Sequence, residues 1–151
     1  MIELERIEPE RLDRLVDECL AEAEPRLSGR SLSVTRQIGA GILESSMDRP
    51  LMKEAVAGLI GEAIRSSEPS GRLRVTVKSS RDAVMFSVKA RGAGMTDEQR
   101  EALFTGGRLA RAREILTAHG GMAWANSRPG RGTTFYVSFP LRKKGSSPQE
   151  L

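Results

Sequence analysis

The sequence predicts an α+β fold, a two-layer sandwich with helices on one side of a largely antiparallel sheet. Two observations predict it. Paired strands with one apolar and one polar face recur as hairpins, and helices with a single apolar stripe are grouped between them. The 151 residues are enough for one domain with a sizeable core. We therefore expect residues 1–140 to form a single domain and residues 141–151 a polar C-terminal tail.

The first half of the chain is predicted to run helix, two strands, helix. Apolar residues recur at three- and four-residue spacing from Pro9 to about Leu27, which is typical of an amphipathic helix. The segments RSLSVTRQI and GILESS indicate two short strands around a glycine turn. Asp48 is a predicted N-cap, with Pro50 in the first turn of a helix that ends near Ser66.

The second half is predicted to run hairpin, two helices, hairpin. Alternating apolar residues over 72–90 indicate two antiparallel strands joined by a tight polar link. Thr96 with Gln99 forms a capping-box signature, so a short helix is expected to start directly after Thr96. A further helix with a glycine C-cap is predicted over 108–119. The segments MAWANS and TTFYVSFP then indicate a closing hairpin around RPGRG.

Composition and charge exclude several classes of function. The chain carries 24 lysines and arginines against 20 acidic residues, a net charge of +4 and a pI of 9.7. Aromatic residues make up 4% of the chain and do not interleave with the basic clusters, so a nucleic-acid partner is not expected. The lone Cys19 excludes a disulfide framework, and the apolar runs are too short to cross a bilayer. We expect a cytoplasmic domain with no membrane partner.

Three segments match motifs that occur together in one family of ATP-binding domains. AHGGMAWANSRPGRGTTFYVSFP, residues 118–140, is similar almost position for position to the family's signature around its last hairpin. MDRPLMKEAVAGLIGEAI resembles the helix with the family's N box, and VKARGAGMTDEQREALF resembles its G1 segment. From Leu12 to Pro140 the sequence thus resembles the catalytic, ATP-binding domain of bacterial sensor histidine kinases, a branch of the GHKL or Bergerat ATPases. The resemblance implies the Bergerat fold, with helices on one face of a mostly antiparallel mixed sheet.

The resemblance places a metal and phosphate site on the second predicted helix. Its two polar N-box positions correspond to Gly58 and Glu62, and in the family the second is an asparagine that holds magnesium. Gly58 has no side chain, whereas Glu62 offers a hard oxygen ligand that magnesium accepts. Glu62 is therefore the candidate magnesium ligand and the candidate catalytic residue, and Arg65 corresponds to a family lysine that keeps a positive charge for phosphate. ATP and magnesium are the cofactors if this pocket functions; otherwise we expect none.

The adenine and lid motifs depart further from the family. The aspartate that accepts the hydrogen bond of the adenine amino group corresponds to Ala90, which accepts nothing. Gly106 matches the lid pattern, but Arg108 stands at a glycine position, and almost no lid separates the last two helices. For Arg108 we consider a side-on contact with phosphate, a solvated place at the helix start, or an ion pair with Glu62. The remaining pocket positions implied by the resemblance are Gly92, Gly94, Gly132 and Thr133.

These departures predict a degenerate domain, a pseudokinase that acts as a protein-interaction or regulatory module in two-component signalling, with weak or no ATP binding. The expected partners are the histidine-bearing dimerisation domain of a kinase or a response regulator. The alternative is a functional ATP-binding catalytic domain that phosphorylates a histidine on another chain or on a segment outside this sequence. His119, the only histidine, is interpreted as a structural residue at a helix end. An anti-sigma-like regulator of the same fold is a third alternative.

Overall fold

The computed structural model of the chain describes residues 2–142, in which seven strands and five helices alternate in an irregular order. The strands are β1 (Ile7–Arg11), β2 (Ser33–Ile38), β3 (Glu44–Asp48), β4 (Arg72–Ser79), β5 (Ala83–Ala90), β6 (Met122–Arg128) and β7 (Gly132–Pro140). The helices are α1 (Leu12–Glu22), α2 (Glu24–Gly29), α3 (Arg49–Ser66), α4 (Asp97–Phe104) and α5 (Ala110–Ala118). Residues 143–151, most of the predicted polar tail, lie outside the described residues.

The main sheet has five strands in the order β2-β4-β5-β7-β6. Strand β2 runs parallel to β4, and the other three neighbouring pairs are antiparallel. The helices pack on one face of this sheet, chiefly through α3 and α5. The predicted α+β sandwich with a mixed, mostly antiparallel sheet is therefore confirmed. Strands β1 and β3 form a separate antiparallel pair.

The core lies between the sheet and helix α3. Side chains alternate between the two faces of each strand, so one face of β4, β5 and β7 is continuously apolar. Its buried residues are Leu73, Val75, Val77, Val84, Phe86, Val88, Phe135, Val137 and Phe139. Helix α3 covers this face with its own buried stripe, which includes Met52, Val56, Leu59, Ile60 and Ala63. Helices α1 and α5 extend the same apolar cluster on either side of α3.

The prediction of one continuous helix from Pro9 to about Leu27 is wrong in two places, its start and its middle. Residues Ile7–Arg11 form strand β1, which pairs with β3 and places Pro9 opposite Ser46. Helix α1 begins only after that strand and ends before Ala23. The break has a local cause, because Pro25 has no N–H to donate to the carbonyl group four residues earlier.

The other predicted elements differ less from the observed ones. The strand expected in GILESS is shifted to Glu44–Asp48 and pairs with β1 instead of joining the main sheet. The helix predicted over 108–119 is α5, which starts two residues later, and Gly120 follows it with a φ of 75°. Asp48 caps α3 by accepting the N–H of Leu51, and the capping box of Thr96 starts α4, both as predicted.

A buried histidine ties the start of α3 to the end of α5. The Nε2 atom of His119 accepts the backbone N–H of Asp48 at 3.0 Å, and its Nδ1 donates to the carbonyl oxygen of Ile115 at 2.8 Å. Because Nε2 accepts a hydrogen bond, the imidazole is neutral in this arrangement. Burial lowers the pKa of His119, and the ring is fully buried. These contacts agree with the structural role expected for this residue.

We expect the protein to lose stability as the pH falls below about 6.5, the ordinary pKa of histidine. The pKa of His119 is lowered in the folded protein. The unfolded chain therefore binds a proton that the folded chain excludes, and the free energy of unfolding falls from about pH 6.5 down to the folded pKa. Urea denaturation across this range measures the slope. His119→Gln should remove this part of the pH dependence, and an unchanged slope in the variant would contradict the assignment.

Candidate functional site

The glycine turn at 92–94, which follows β5, is held between two other backbone segments. On one side the N–H of Glu68 donates to the carbonyl oxygen of Arg91 at 2.8 Å. On the other side the N–H of Gly130 donates to the carbonyl oxygen of Ala93 at 2.6 Å. The turn is thus fastened both to the chain that leaves α3 and to the β6–β7 turn.

Close backbone contact explains the glycines of this turn. A Cβ atom at Gly92 would overlap the carbonyl oxygen of Ser66, the last residue of α3. A Cβ atom at Gly94 would overlap the carbonyl oxygen of Arg128, and Gly94 has a φ of 73°, which favours glycine. Packing alone therefore requires a glycine at both positions, independently of any ligand.

Ala90 and Thr133 lie opposite each other on β5 and β7. Ala90 is fully buried, and its methyl group offers no hydrogen-bond acceptor. The hydroxyl of Thr133 is 2.7 Å from Ser127 Oγ, which also accepts the backbone N–H of Met95 at 2.7 Å. Gly132 completes this cluster with a φ of 77°, since a Cβ there would overlap the carbonyl oxygen of Ala90. The polar groups of the cluster are therefore satisfied by one another.

Ser127 is the residue of this cluster that sequence reasoning missed. It lies in β6 just before the RPGRG turn and links the glycine turn to β7 through Met95 and Thr133. The signal for it was available, because a serine at this place is part of the motif quoted for the resemblance.

The second cluster centres on the carboxylate of Glu62, whose side chain is only 5% exposed. Arg108 forms a bidentate ion pair with this carboxylate: Nε lies 2.5 Å from Oε1 and Nη2 lies 3.2 Å from Oε2. The Nε of Arg65 lies 3.4 Å from the same Oε1. The hydrogen bond to Glu62 raises the pKa of Arg108. Of the three roles considered for Arg108, the structure shows the ion pair with Glu62.

Helices α4 and α5 are joined by the short link 105–109, which folds tightly. The N–H of Leu109 donates back to the carbonyl oxygen of Leu103 at 2.9 Å. Leu109 is buried and lies over Gly58, where an added Cβ would be 3.9 Å from Leu109 Cδ2. Gly106 turns the link with a φ of 83° and has nothing within 4 Å of an added Cβ. The link is compact, as the near absence of a lid in the sequence predicted.

Nine of the ten predicted site residues thus fall into two adjoining groups along the second half of α3. Glu62, Arg65 and Arg108 meet at one carboxylate, with Gly58 one helical turn away under Leu109. The glycine turn packs on the end of α3 with Ala90, Gly132 and Thr133 behind it. Only Gly106 stands apart from both groups, at the exposed bend of the link.

Residues 2–142 lack two features, a metal-binding cluster and a membrane-spanning helix. No three histidine, cysteine, aspartate or glutamate side chains in this part of the chain converge in a way that could hold a metal ion. None of its helices is long and apolar enough to span a membrane.

The sequence profile of the histidine kinase-, DNA gyrase B- and HSP90-like ATPases matches residues 47–143, about two thirds of the chain. The chain belongs to this family. The matched region contains both clusters of the site, from helix α3 to strand β7.

Individual relatives agree with the family. The adaptive-response sensory kinase SasA of a Prochlorococcus marinus strain is 26% identical over 159 residues, covering 93% of this chain and 42% of SasA. The chain therefore spans less than half the length of this relative. The catalytic domain of histidine kinase ThkA superimposes with a TM-score of 0.82 at 23% identity, covering 91% of this chain and 97% of that domain. ThkA in complex with the response regulator TrrA gives a TM-score of 0.81 at 22% identity, covering 96% of this chain and 43% of that one. At these identities the structural likeness concerns the fold.

We expect Arg108→Ala to lower the free energy of unfolding by about 1–3 kcal/mol, because the buried Glu62 carboxylate loses its two closest hydrogen bonds. Arg111→Ala is the matched control: it removes an arginine at the start of α5 that pairs with Glu54, also on α3, where both side chains are about half exposed. That change should cost less than about 1 kcal/mol. Urea denaturation measures both, and equal losses would contradict the importance of the buried carboxylate.

We expect Gly94→Ala to destabilise the protein by about 2–5 kcal/mol, since it adds overlap with a backbone carbonyl to an unfavourable φ. Gly41→Ala tests the φ contribution alone, because Gly41 has a φ of 67° with nothing within 4 Å of an added Cβ. The control should cost about 1–2 kcal/mol. Thermal unfolding without any nucleotide compares the two variants. A Gly94→Ala protein as stable as the control would show that packing does not require this glycine.

Proposed function

We propose that this domain is a protein-interaction or regulatory module of two-component signalling that binds ATP weakly or not at all. One observation carries the proposal: the carboxylate of Glu62, at the position that holds magnesium in the family, forms a bidentate ion pair with Arg108. A guanidinium there occupies both carboxylate oxygens and places a positive charge where the cation would bind. Magnesium binding would require this ion pair to break first.

The adenine side of the pocket supports the same conclusion. The residue at the position of the adenine acceptor is Ala90, which is fully buried. An adenine amino group placed beside its methyl would lose a hydrogen bond to water and gain none. Leaving a buried donor unpaired costs about 1–3 kcal/mol, which is roughly a five- to 150-fold loss of affinity.

The link between α4 and α5 supports it as well. A phosphate-binding lid needs backbone N–H groups that point at the ligand, usually at a helix N-terminus. Here the N–H of Leu109 donates to the carbonyl oxygen of Leu103, and the N–H of Ala110 donates to that of Gly107. These donors are therefore already used inside the link. The residues present therefore do not fit a bound magnesium–ATP complex.

For the partner we propose a histidine-bearing dimerisation domain or a response regulator. SasA is a sensory kinase, and ThkA was solved with the response regulator TrrA. The fold of this chain matches the catalytic domain of ThkA over nearly its whole length. A domain that keeps this shape can contact the same kinds of partner even when its nucleotide site is closed.

A working ATP-binding domain is the second candidate function, and one observation favours it. Arg65 and Arg108 both lie at Glu62 with side chains 58% exposed, so two cations are available for phosphate if Glu62 is released. Such a domain transfers labelled phosphate from ATP to a supplied histidine-bearing domain, and Glu62→Ala would abolish the transfer. The proposed module shows no transfer with or without that substitution.

Titration calorimetry of a restored site tests the proposed function. We expect no measurable magnesium-dependent ATP binding by the wild-type protein. We expect binding by a triple variant that supplies the missing contacts, Gly58→Asn with Glu62→Asn and Ala90→Asp, because the surrounding frame is intact. The double variant that keeps Ala90 is the matched control, and it should bind roughly five- to 150-fold more weakly than the triple variant. Micromolar binding of magnesium–ATP by the wild-type protein would contradict the proposal.

A further inference from the structure

The face of the five-stranded sheet that points away from α3 carries an unusual charge pattern. Its outward-facing strand residues include several lysines and arginines, but none of them is an aspartate or a glutamate. Besides Lys78, six cationic side chains lie on this face or at its edge, all of them exposed: Arg72, Arg74, Lys89, Arg91, Arg128 and Arg131. We call this set the open-face cations.

The open-face cations have no ion-pair partner among residues 2–142, in contrast to several cations on the helical side of the molecule. There Arg49 and Lys53 share Glu18, and Arg108 pairs with Glu62. On the sheet, Arg74 and Lys89 are instead direct cross-strand neighbours on β4 and β5. Like charges opposite each other destabilise a sheet, and an anionic partner would relieve this repulsion.

The cations line two hollows that meet at Lys89. The first has a volume of about 410 Å³ and is lined by Arg72, Arg74, Lys89 and Arg91, by one carboxylate, Glu68, and by the hydroxyl groups of Ser33 and Ser70. The second is wider, about 970 Å³, and is lined by Lys89, Arg100, Arg128 and Arg131, by one carboxylate, Asp97, and by polar residues that include Asn126 and Thr134. Cations outnumber carboxylates in both hollows, so together they form a mainly cationic path across the strands.

An aromatic pair lies on the same face beside this path. Trp124 on β6 and Tyr136 on β7 are cross-strand neighbours, and their rings stack with centroids 4.9 Å apart and an interplanar angle of 7°. Each is two residues along its strand from Asn126 and Thr134, which line the second hollow. The residue directly opposite Tyr136 on β5 is the small Ser87.

We propose that this open sheet face binds single-stranded nucleic acid. Arginines suit phosphate because their planar fork can donate two hydrogen bonds to it, and five of the six cations are arginines. Phosphates would follow the cationic path, while bases stack against the Trp124–Tyr136 pair. An acidic polypeptide would satisfy the cations but would leave the half-buried aromatic pair without a matching group. The aromatic residues and the cations do not interleave along the chain, but the strand register brings them together on one face.

Fluorescence anisotropy with a labelled oligothymidylate of about 16 nucleotides, without nucleotide or magnesium, tests the proposal. We expect a dissociation constant tighter than about 100 μM at low salt, weakening steeply as salt is added. Trp124 is the only tryptophan, so stacking of a base should also quench the intrinsic fluorescence of the protein. Because the assay contains no ATP, its result is independent of the proposed function.

Arg74→Glu is the informative variant. It places a carboxylate opposite Lys89, so it should raise the melting temperature while it weakens oligonucleotide binding at least several-fold and lowers the salt slope. Arg81→Glu makes the same charge change in the exposed β4–β5 turn, where Arg81 has no ion-pair partner among the described residues. The control should bind nearly as well as the wild-type protein. Trp124→Ala should weaken binding roughly five- to 150-fold with the salt slope retained, and Trp124→Phe should restore most of it.

Three results would overturn the proposal. The first is oligothymidylate binding no tighter than about 100 μM at low salt. The second is equal or tighter binding of a polyglutamate of similar length, which would make the face a site for acidic polypeptides. The third is equal weakening by Arg74→Glu and Arg81→Glu, which would show that binding follows net charge and not this face.

Discussion

The buried carboxylate of Glu62 is the constraint around which the site is arranged. A carboxylate this far from water must be paired, because an isolated buried charge is very unfavourable. Its main partner, Arg108, is on the link between α4 and α5, and the same link lays Leu109 over Gly58. The ion pair, the missing side chain at Gly58 and the short link are therefore parts of one arrangement. We propose that together they fill the region where the family would place magnesium and the phosphates.

The glycine turn is fixed by backbone packing, whether or not a nucleotide binds beside it. Gly92 and Gly94 are held between the end of α3 and the β6–β7 turn, with no room for a side chain at either position. The hydroxyls of Ser127 and Thr133 are satisfied within the protein, beside the methyl group of Ala90. Backbone packing alone thus explains the glycines of the turn, Gly92 and Gly94. The residue at the family's adenine-acceptor position, Ala90, is the one that differs.

The sequence predicted those elements whose signals are local. Asp48 and the capping box of Thr96 mark helix starts through contacts within one turn, and alternation marks β4, β5 and β7. Strand β1 was missed because its only partner, β3, lies nearly forty residues away and nothing in its own pattern shows the pairing. For the same reason the sequence left three roles open for Arg108, since its contact with Glu62 depends on how the link lies over α3. The stacking of Trp124 on Tyr136 is likewise a product of strand register.

We propose that the nucleotide site of this domain is closed by its own residues. Thermal unfolding with and without magnesium and ATP or ADP tests it most directly, because a ligand at a hundred times its dissociation constant adds about 2.7 kcal/mol of stability. For a chain of this length that corresponds to a rise of about 5–10 °C in the melting temperature. We predict no change in the melting temperature at millimolar nucleotide. A rise of this size that requires magnesium would contradict the account.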